Sequence, residues 1–404
     1  MKKNSFLVGT LAFVHFFAQG QNSDIPKENK VNRTDVELVY NNYIQDGNNS
    51  AVTGGLGTEE LYVYGPSLTL TKTKGRTVFS TNVGADIISS ASTDNIDFVV
   101  SSASILDARS YLNYGVSHLM KDEQTTWYTG GGLSIESDYL SLSLKAGMLF
   151  ENKDKTRTYS VQFQRFWDDL RWGRLQDGLN LFKPRRLIYP EELRFREWHE
   201  NTKRHSYNFQ FGLDQVINKR LLLGIYPEFT YQDGLLSTPF HRVYFDDGTL
   251  AVEALPSYRY KGSLGLKLNA FLGGRYILRN TINGYADSFG VRGISIENET
   301  VIKLDPSWSV APSVRYYTQQ GSRYFAPIGQ HNPGADYATS DWDLADFHTW
   351  TLGTQLRYSP QAYVSKRMKF NAMNLRYSYY NRSNGLYGHL ISLSIETSLD
   401  KKQR

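Results

Sequence analysis

From Asn371 to Leu399 the chain alternates apolar and polar residues at a period of two on both sides of a turn, and few folds accommodate that pattern. One parity of the first run carries Met373, Leu375, Tyr377 and Tyr379; the other carries Ala372, Asn374, Arg376, Ser378, Tyr380 and Arg382. After Ser383-Asn384-Gly385-Leu386, the return run sets Ile391, Leu393, Ile395, Thr397 and Leu399 against Ser392, Ser394, Glu396 and Ser398. Successive side chains of a strand point to opposite faces, so each run reads as a strand with one apolar and one polar face. A soluble sheet shows the same alternation. Tyrosines at the end of the apolar face, and the return of the pattern along the whole chain, point instead to a lipid-facing barrel.

The amino terminus agrees with export. Lys2 and Lys3 precede an apolar run from Phe6 to Phe17, and small Ala18 and Gly20 follow two positions apart, which predicts a signal peptide over residues 1–20. A membrane-spanning helix would need about 20 apolar residues, more than this run supplies. Without Lys2 and Lys3 the formal charge falls from +5 to +3, too small an excess for a nucleic-acid partner. There is no cysteine, so neither disulfides nor thiolate metal sites contribute. No later apolar run approaches a helical span. A membrane location therefore requires a closed barrel, whose backbone hydrogen bonds are satisfied between strands.

Residues 21–33 read as a polar periplasmic lead-in, 34–399 as an all-β, transmembrane antiparallel barrel, and 400–404 as a polar tail. About sixteen strands are expected, among them 34–46, 60–72, 157–168, 205–217, 309–322, 371–382 and 388–399. Short connections at Thr73-Lys74-Gly75, Lys121 to Gln124, Asn152 to Thr156, Asn218-Lys219-Arg220, Leu272 to Arg275 and Asp305 to Trp308 fall at alternate positions, with a longer one at Pro360 to Lys369. Outer-membrane barrels keep short turns in the periplasm and long loops outside, which puts both termini in the periplasm. Pro66, Pro227 and Pro312 fall inside expected strands, where a bulge or strand end should absorb the missing donor.

Outward candidates include Leu140, Leu142, Leu144, Ala146, Met148 and Phe150, and also Trp350, Leu352, Leu356 and Tyr358. The opposite parity supplies lumen charges: Arg109, Lys145, Arg259, Lys261, Lys267, Arg279, Arg315, Arg357 and Arg376 face Asp86, Glu136, Asp214, Glu228, Asp287, Glu297, Glu299 and Glu396. Rings of charge can set ion selectivity, or can neutralise one another and narrow the channel. The near balance favours neither anions nor cations. A slip of one residue would drive each charge into hydrocarbon, where Arg or Lys at mid-depth costs about 2–4 kcal/mol, so the register is strongly specified.

Three loops carry candidate chemistry. In Thr238 to Glu253, Asp246-Asp247-Gly248 reads as a hairpin turn that extends the wall above the membrane, with His241, Arg242 and Tyr244 near its base. With His331 and Asp336 from another loop, His241 and Arg242 suit a metal or anion site, or a hydrogen-bonded lock between loops; the absence of a His-x-x-x-His spacing favours the lock and no metal. Ser89 to Asp107 combines hydroxyls with Asp94, Asp97 and Asp107, which suits a calcium-binding loop or, more simply, polar extracellular surface; the spacing does not fit an EF-hand. Residues 169–204 mix Trp172 with Arg185, Arg186 and other arginines, suiting either an inward constriction that grips an anion or a simple lid.

Val52 to Glu60, Ser89 to Asp97, Ser101 to Arg109, Thr238 to Asp247, Arg315 to Tyr317 and Tyr324 to His331 together resemble the bacterial family catalogued as domain of unknown function 3570. Pro-Phe-His-Arg-Val-Tyr-Phe and Tyr-Phe-Ala-Pro are the specific segments. The resemblance implies a Gram-negative outer-membrane barrel without established catalytic residues, and partners in an exported redox or assembly system. Such barrels tend to finish on an aromatic residue, whereas the last strand here finishes at Leu399. No nucleophile-base arrangement, phosphate loop or His-rich motif occurs, so the expected role is a pore or transporter for a small polar solute, with no enzyme activity, catalytic residue or cofactor. The alternative is a sealed scaffold barrel that anchors those partners.

Overall fold

The computed structural model describes residues 32–49, 60–90, 106–136, 139–170, 202–237 and 242–400. The expected signal peptide lies outside them. Sixteen long strands form the wall: β1 (Asn32–Gly47), β2 (Leu61–Lys74), β3 (Thr77–Ser90), β4 (Leu106–Leu119), β5 (Thr125–Ile135), β6 (Leu140–Glu151), β7 (Arg157–Asp169), β8 (Lys203–Asn218), β9 (Leu221–Gly234), β10 (Tyr258–Leu272), β11 (Tyr276–Asp287), β12 (Arg292–Lys303), β13 (Trp308–Gln320), β14 (Phe347–Tyr358), β15 (Met368–Arg382) and β16 (Leu386–Asp400). Each pairs antiparallel with its neighbour in sequence, and β1 pairs with β16 from Arg33↔Asp400 to Gly47↔Leu386. The wall therefore closes with no free edge, as a membrane demands.

The two faces differ as the period of two requires. Leu144 and Leu352 are each 55% exposed, whereas Ser141, Ser143 and Thr349 on the alternate parity are buried. In water so much exposed apolar surface would drive aggregation; in a bilayer, acyl chains cover it. Aromatic residues bound this band at both ends. Trp308 meets Tyr358 with ring centroids 4.6 Å apart, and Tyr316 meets Trp350 at 4.7 Å. On β13 the two belts are eight residues apart, which at ~3.4 Å per residue and a tilt of ~35–45° spans about 20 Å, close to the apolar band of a transmembrane barrel.

The three prolines depart from expectation. None lies at a bulge. The ladder skips two pairs beside each, between Tyr64↔Ile87 and Ser67↔Gly84 at Pro66, Gln210↔Glu228 and Leu213↔Ile225 at Pro227, and Glu299↔Ser313 and Ile302↔Val310 at Pro312, and resumes in unchanged register. A bulge would have flipped the parity beyond it and turned charges toward lipid; a gap absorbs the missing donor without that cost. True register shifts occur at Val216/Asn218 in β8 and Phe370/Ala372 in β15, toward the short-turn end of the wall. Beside Pro66 the strands crowd. A Cβ on Gly65 would lie 2.0 Å from the Ala85 carbonyl oxygen, so only glycine fits there.

The hairpin above β9 also differs. Arg242–Tyr244 and Leu250–Val252 pair with each other in a separate two-stranded sheet and do not extend the wall. Gly248 at φ +81° closes its turn, where Asp247 accepts from the Thr249 amide at 2.9 Å and its hydroxyl at 2.6 Å. Bridges Phe245↔His331 and Ala254↔Ala338 dock this hairpin onto the segment between β13 and β14.

Candidate functional site in the lumen and mouth

The inward parity brings many of the predicted charges into ion pairs along the inner wall. The largest linked set runs along β11 to β16. Glu299 accepts from Arg279 at 2.6 Å and from Arg376 at 2.9 Å, although β13 and β14 separate Arg376 from Glu299. Arg376 also donates to Gln355, Gln355 to Asn374, and Asn374 to Glu396, which holds Arg357 at 2.8 Å. Links over intervening strands are possible because these long side chains lie along the inner wall. In β3 to β5, Arg109 stands 3.9 Å from Asp86 and 3.7 Å from Glu136. Nearer the mouth, Arg204 pairs with Asp168 at 2.8 Å, and Arg259 pairs with a fully buried Asp287 that also accepts from the Tyr285 hydroxyl and the Phe289 and Val291 amides. These donors satisfy the buried carboxylate and hold the β11–β12 turn in place.

The remaining lumen candidates are placed less tightly. Asp214 accepts from the Tyr226 hydroxyl. Glu228 faces Ser263 and Gln210, and Lys267 faces Thr281 and Gly224 in register. Glu297 and Arg315 are direct cross-strand partners, and Arg315 Nε is buried without a hydrogen-bond partner. Lys145 sits among Gly130 and Gln164 on β5 and β7.

A cap closes over one side of the mouth. Residues 321–346, between β13 and β14, leave the wall and return beneath the rim. Gln319, on the inward parity, donates to the carbonyls of Asp343 at 3.0 Å and Ala345 at 2.7 Å. Arg382, also inward and 3% exposed, reaches Asp343 at 2.8 Å, Asn384 at 2.8 Å and the Asn49 carbonyl, with its guanidinium 4.8 Å from the Phe347 ring centre. One side chain thus ties together three connections that are far apart in sequence. Val243, Val252, Phe289, Ala338 and Ala345 are buried and give the cap a small apolar core.

The buried polar groups of the cap are paired. The Thr339 hydroxyl donates to Glu253, and His331 Nε2 donates to the Thr339 carbonyl at 3.1 Å. Burial lowers the His331 pKa from its ordinary value, which keeps the imidazole neutral, while the backbone hydrogen bonds to Thr339 and Ala326 oppose that shift. His331 is thus a lock between cap segments. Its other predicted partners are elsewhere: Asp336 is exposed, Arg242 contributes its backbone to the hairpin, and His241 lies outside the described residues. Tyr244 accepts the Gly329 amide through its carbonyl at 3.0 Å. Among the described residues no group of three potential ligands could hold a metal.

Trp172, Arg185 and Arg186 also lie outside the described residues, as does the calcium-type stretch 91–105. The inward segment that the structure does describe is 321–346, which sequence reading did not single out as a constriction. Asp341-Trp342-Asp343 carries a local signal, since Asp341 caps the short 3₁₀ turn Trp342–Leu344. That turn's partners, Gln319 and Arg382, are set by the fold and not by spacing. Asp168 and Arg204 were missed for the opposite reason. They read as borders of a loop, yet β7 and β8 continue upward and pair Asp168 with Arg204.

A family model described as protein of unknown function (DUF3570) matches residues 65–402. The chain belongs to this family. The match runs from within β2 through β16 of this DUF3570 member and takes in the whole cap. No curated protein matches it. Among solved structures it is similar to OccK2 (OpdF) of Pseudomonas aeruginosa, at 12% identity and TM-score 0.40 over 91% of this chain and 98% of that one. It is also similar to a BenF-like porin of Pseudomonas fluorescens Pf-5, at 10% identity and TM-score 0.42 over 91% and 99%, and to the monoaromatic hydrocarbon channel TodX, at 10% and 0.42 over 92% and 91%. The porin-like outer-membrane architecture of this DUF3570 member rests on its own closed wall, polar interior and paired aromatic belts.

Proposed function

We propose that this barrel is a pore for small polar solutes in the outer membrane of a Gram-negative bacterium, with both chain ends on the periplasmic side and a mouth narrowed by residues 321–346. The observation that carries the reading is the anchoring of that segment to inward side chains, Gln319 and Arg382, above a polar wall. Sixteen strands are enough to leave an aqueous channel. The lumen groups nearly balance in charge, so passage is sorted by size and hydrogen bonding before charge.

Swelling of liposomes that hold the refolded protein tests this directly. Small sugars and amino acids should enter, with rates falling as solute size rises. Arg315→Ala and Arg376→Ala should each shift the reversal potential toward cations while leaving membrane insertion intact. Lost insertion with unchanged selectivity would contradict the inward assignment. Folded barrels that pass neither ions nor solutes would contradict the pore and favour a sealed scaffold that anchors periplasmic redox or assembly partners.

A further inference from the structure

Among the described residues, the Lys, Arg, Asp and Glu side chains on the lipid-facing parity of β1 to β16 lie within three residues of a strand end, with one exception. Arg165 is five residues inside the upper end of β7, Asp169 counted as the first. Its parity is that of Tyr159, Val161 and Phe163, all exposed to the outside, and the ladders to β6 and β8 keep register through it, facing Leu144 and Tyr207. A charge at that depth is costly unless it is lifted to the interface and neutralised there.

The surroundings do the lifting. The guanidinium carbon lies 4.6 Å from the Trp167 ring centre and 4.8 Å from that of Tyr207, so Arg165 is held between two aromatic rings and directed toward the rim. Tyr207 continues to Tyr231 at 6.0 Å and Tyr231 to Tyr260 at 5.0 Å, an aromatic shelf across four strands. Among the described residues no carboxylate pairs with Arg165: Asp169 faces Lys203 in register, and Asp233 faces His205. The cation is held firmly between the rings, and among the described residues nothing neutralises it.

We propose that this cage is a docking site for a phosphate of lipid A, the anionic lipid of the outer leaflet, with Arg165 as the principal contact and His205 and Lys203 one and two layers nearer the rim. This rests on the outer-membrane reading above, with the long-loop end outward. Arg165 then lies at the level where phosphates meet the aromatic belt. The contact anchors the wall in an asymmetric membrane and takes no part in conduction.

Native mass spectrometry of the refolded full chain in detergent, titrated with bisphosphorylated lipid A, dephosphorylated lipid A and phosphatidylglycerol, tests the site. Bisphosphorylated lipid A should bind the unsubstituted protein best. Arg165→Gln should weaken it about tenfold, as expected for loss of a charge-assisted contact. Arg165→Lys should fall between the two, and Arg157→Gln, an outward arginine at the opposite end of β7, should bind as the unsubstituted protein does. Equal binding by folded Arg165→Gln, or equal binding of dephosphorylated lipid A or phosphatidylglycerol to the unsubstituted chain, would overturn the proposal. The lipid comparison needs no variant, so a misfolded substitution does not shield it.

Discussion

The wall and the mouth are built by different rules. In the wall, each residue's face follows from its own parity and its backbone partner from the neighbouring strand, and the pattern repeats sixteen times. In the mouth, one guanidinium at Arg382 joins Asn49, Asp343 and Asn384, and no periodicity links those positions. Lipid dictates the wall from outside, whereas the mouth depends on a few polar contacts between distant segments. The wall should therefore tolerate loss of any one polar contact, and the mouth should tolerate changes to the apolar face.

The largest effect belongs to the wall. Leu352→Arg should destabilise the barrel by about 2–4 kcal/mol in urea titrations, because an outward charge at mid-depth meets hydrocarbon. Its neighbour Thr351→Arg points into the lumen and should cost far less. Equal costs would break the distinction between faces. Next comes Gly65→Ala, where the added methyl meets the Ala85 carbonyl; overpacking of this kind costs about 1–3 kcal/mol, read as a lower unfolding midpoint. In the mouth, Arg382→Gln should loosen the cap by about 1–3 kcal/mol. The readout is faster proteolysis within 321–346 at an unchanged urea midpoint for the wall.

The smallest effect is that of pH. The His331 pKa is lowered in the folded cap, so the unfolded or open cap binds the proton more tightly. The stabilisation is full above the ordinary imidazole value of 6.5 and is lost as pH falls through the lower, folded value. Protease sensitivity of 321–346 should rise on acidification, and His331→Gln should flatten that dependence.

This contrast also explains what could be read from the sequence. Strand number, faces and the inward placement of Arg376 or Glu299 follow from a period of two, and the aromatic belts follow from where Tyr and Trp end each apolar run. The prolines misled because register preservation is a property of the closed wall: a bulge at Pro227 would be acceptable in one strand, yet it would invert every residue above it. The hairpin at Asp246-Asp247-Gly248 was legible as a turn, but its docking against His331 was not, since Phe245 and His331 are 86 positions apart. Gln319 and Arg382 looked like ordinary inward polar residues until the 321–346 segment was placed over them.

In the proposed pore, residues 321–346 narrow the mouth of a water-filled lumen. Single-channel recording in planar bilayers of the unsubstituted protein beside the Arg382→Gln, Asp343→Asn double variant tests it most directly, because that change removes the ion pair that holds the cap and leaves the backbone ladder of the wall in place. A larger conductance step is expected in the variant, at equal insertion and equal wall stability. Identical conductance in the two proteins, with the cap shown by proteolysis to be released, would contradict it.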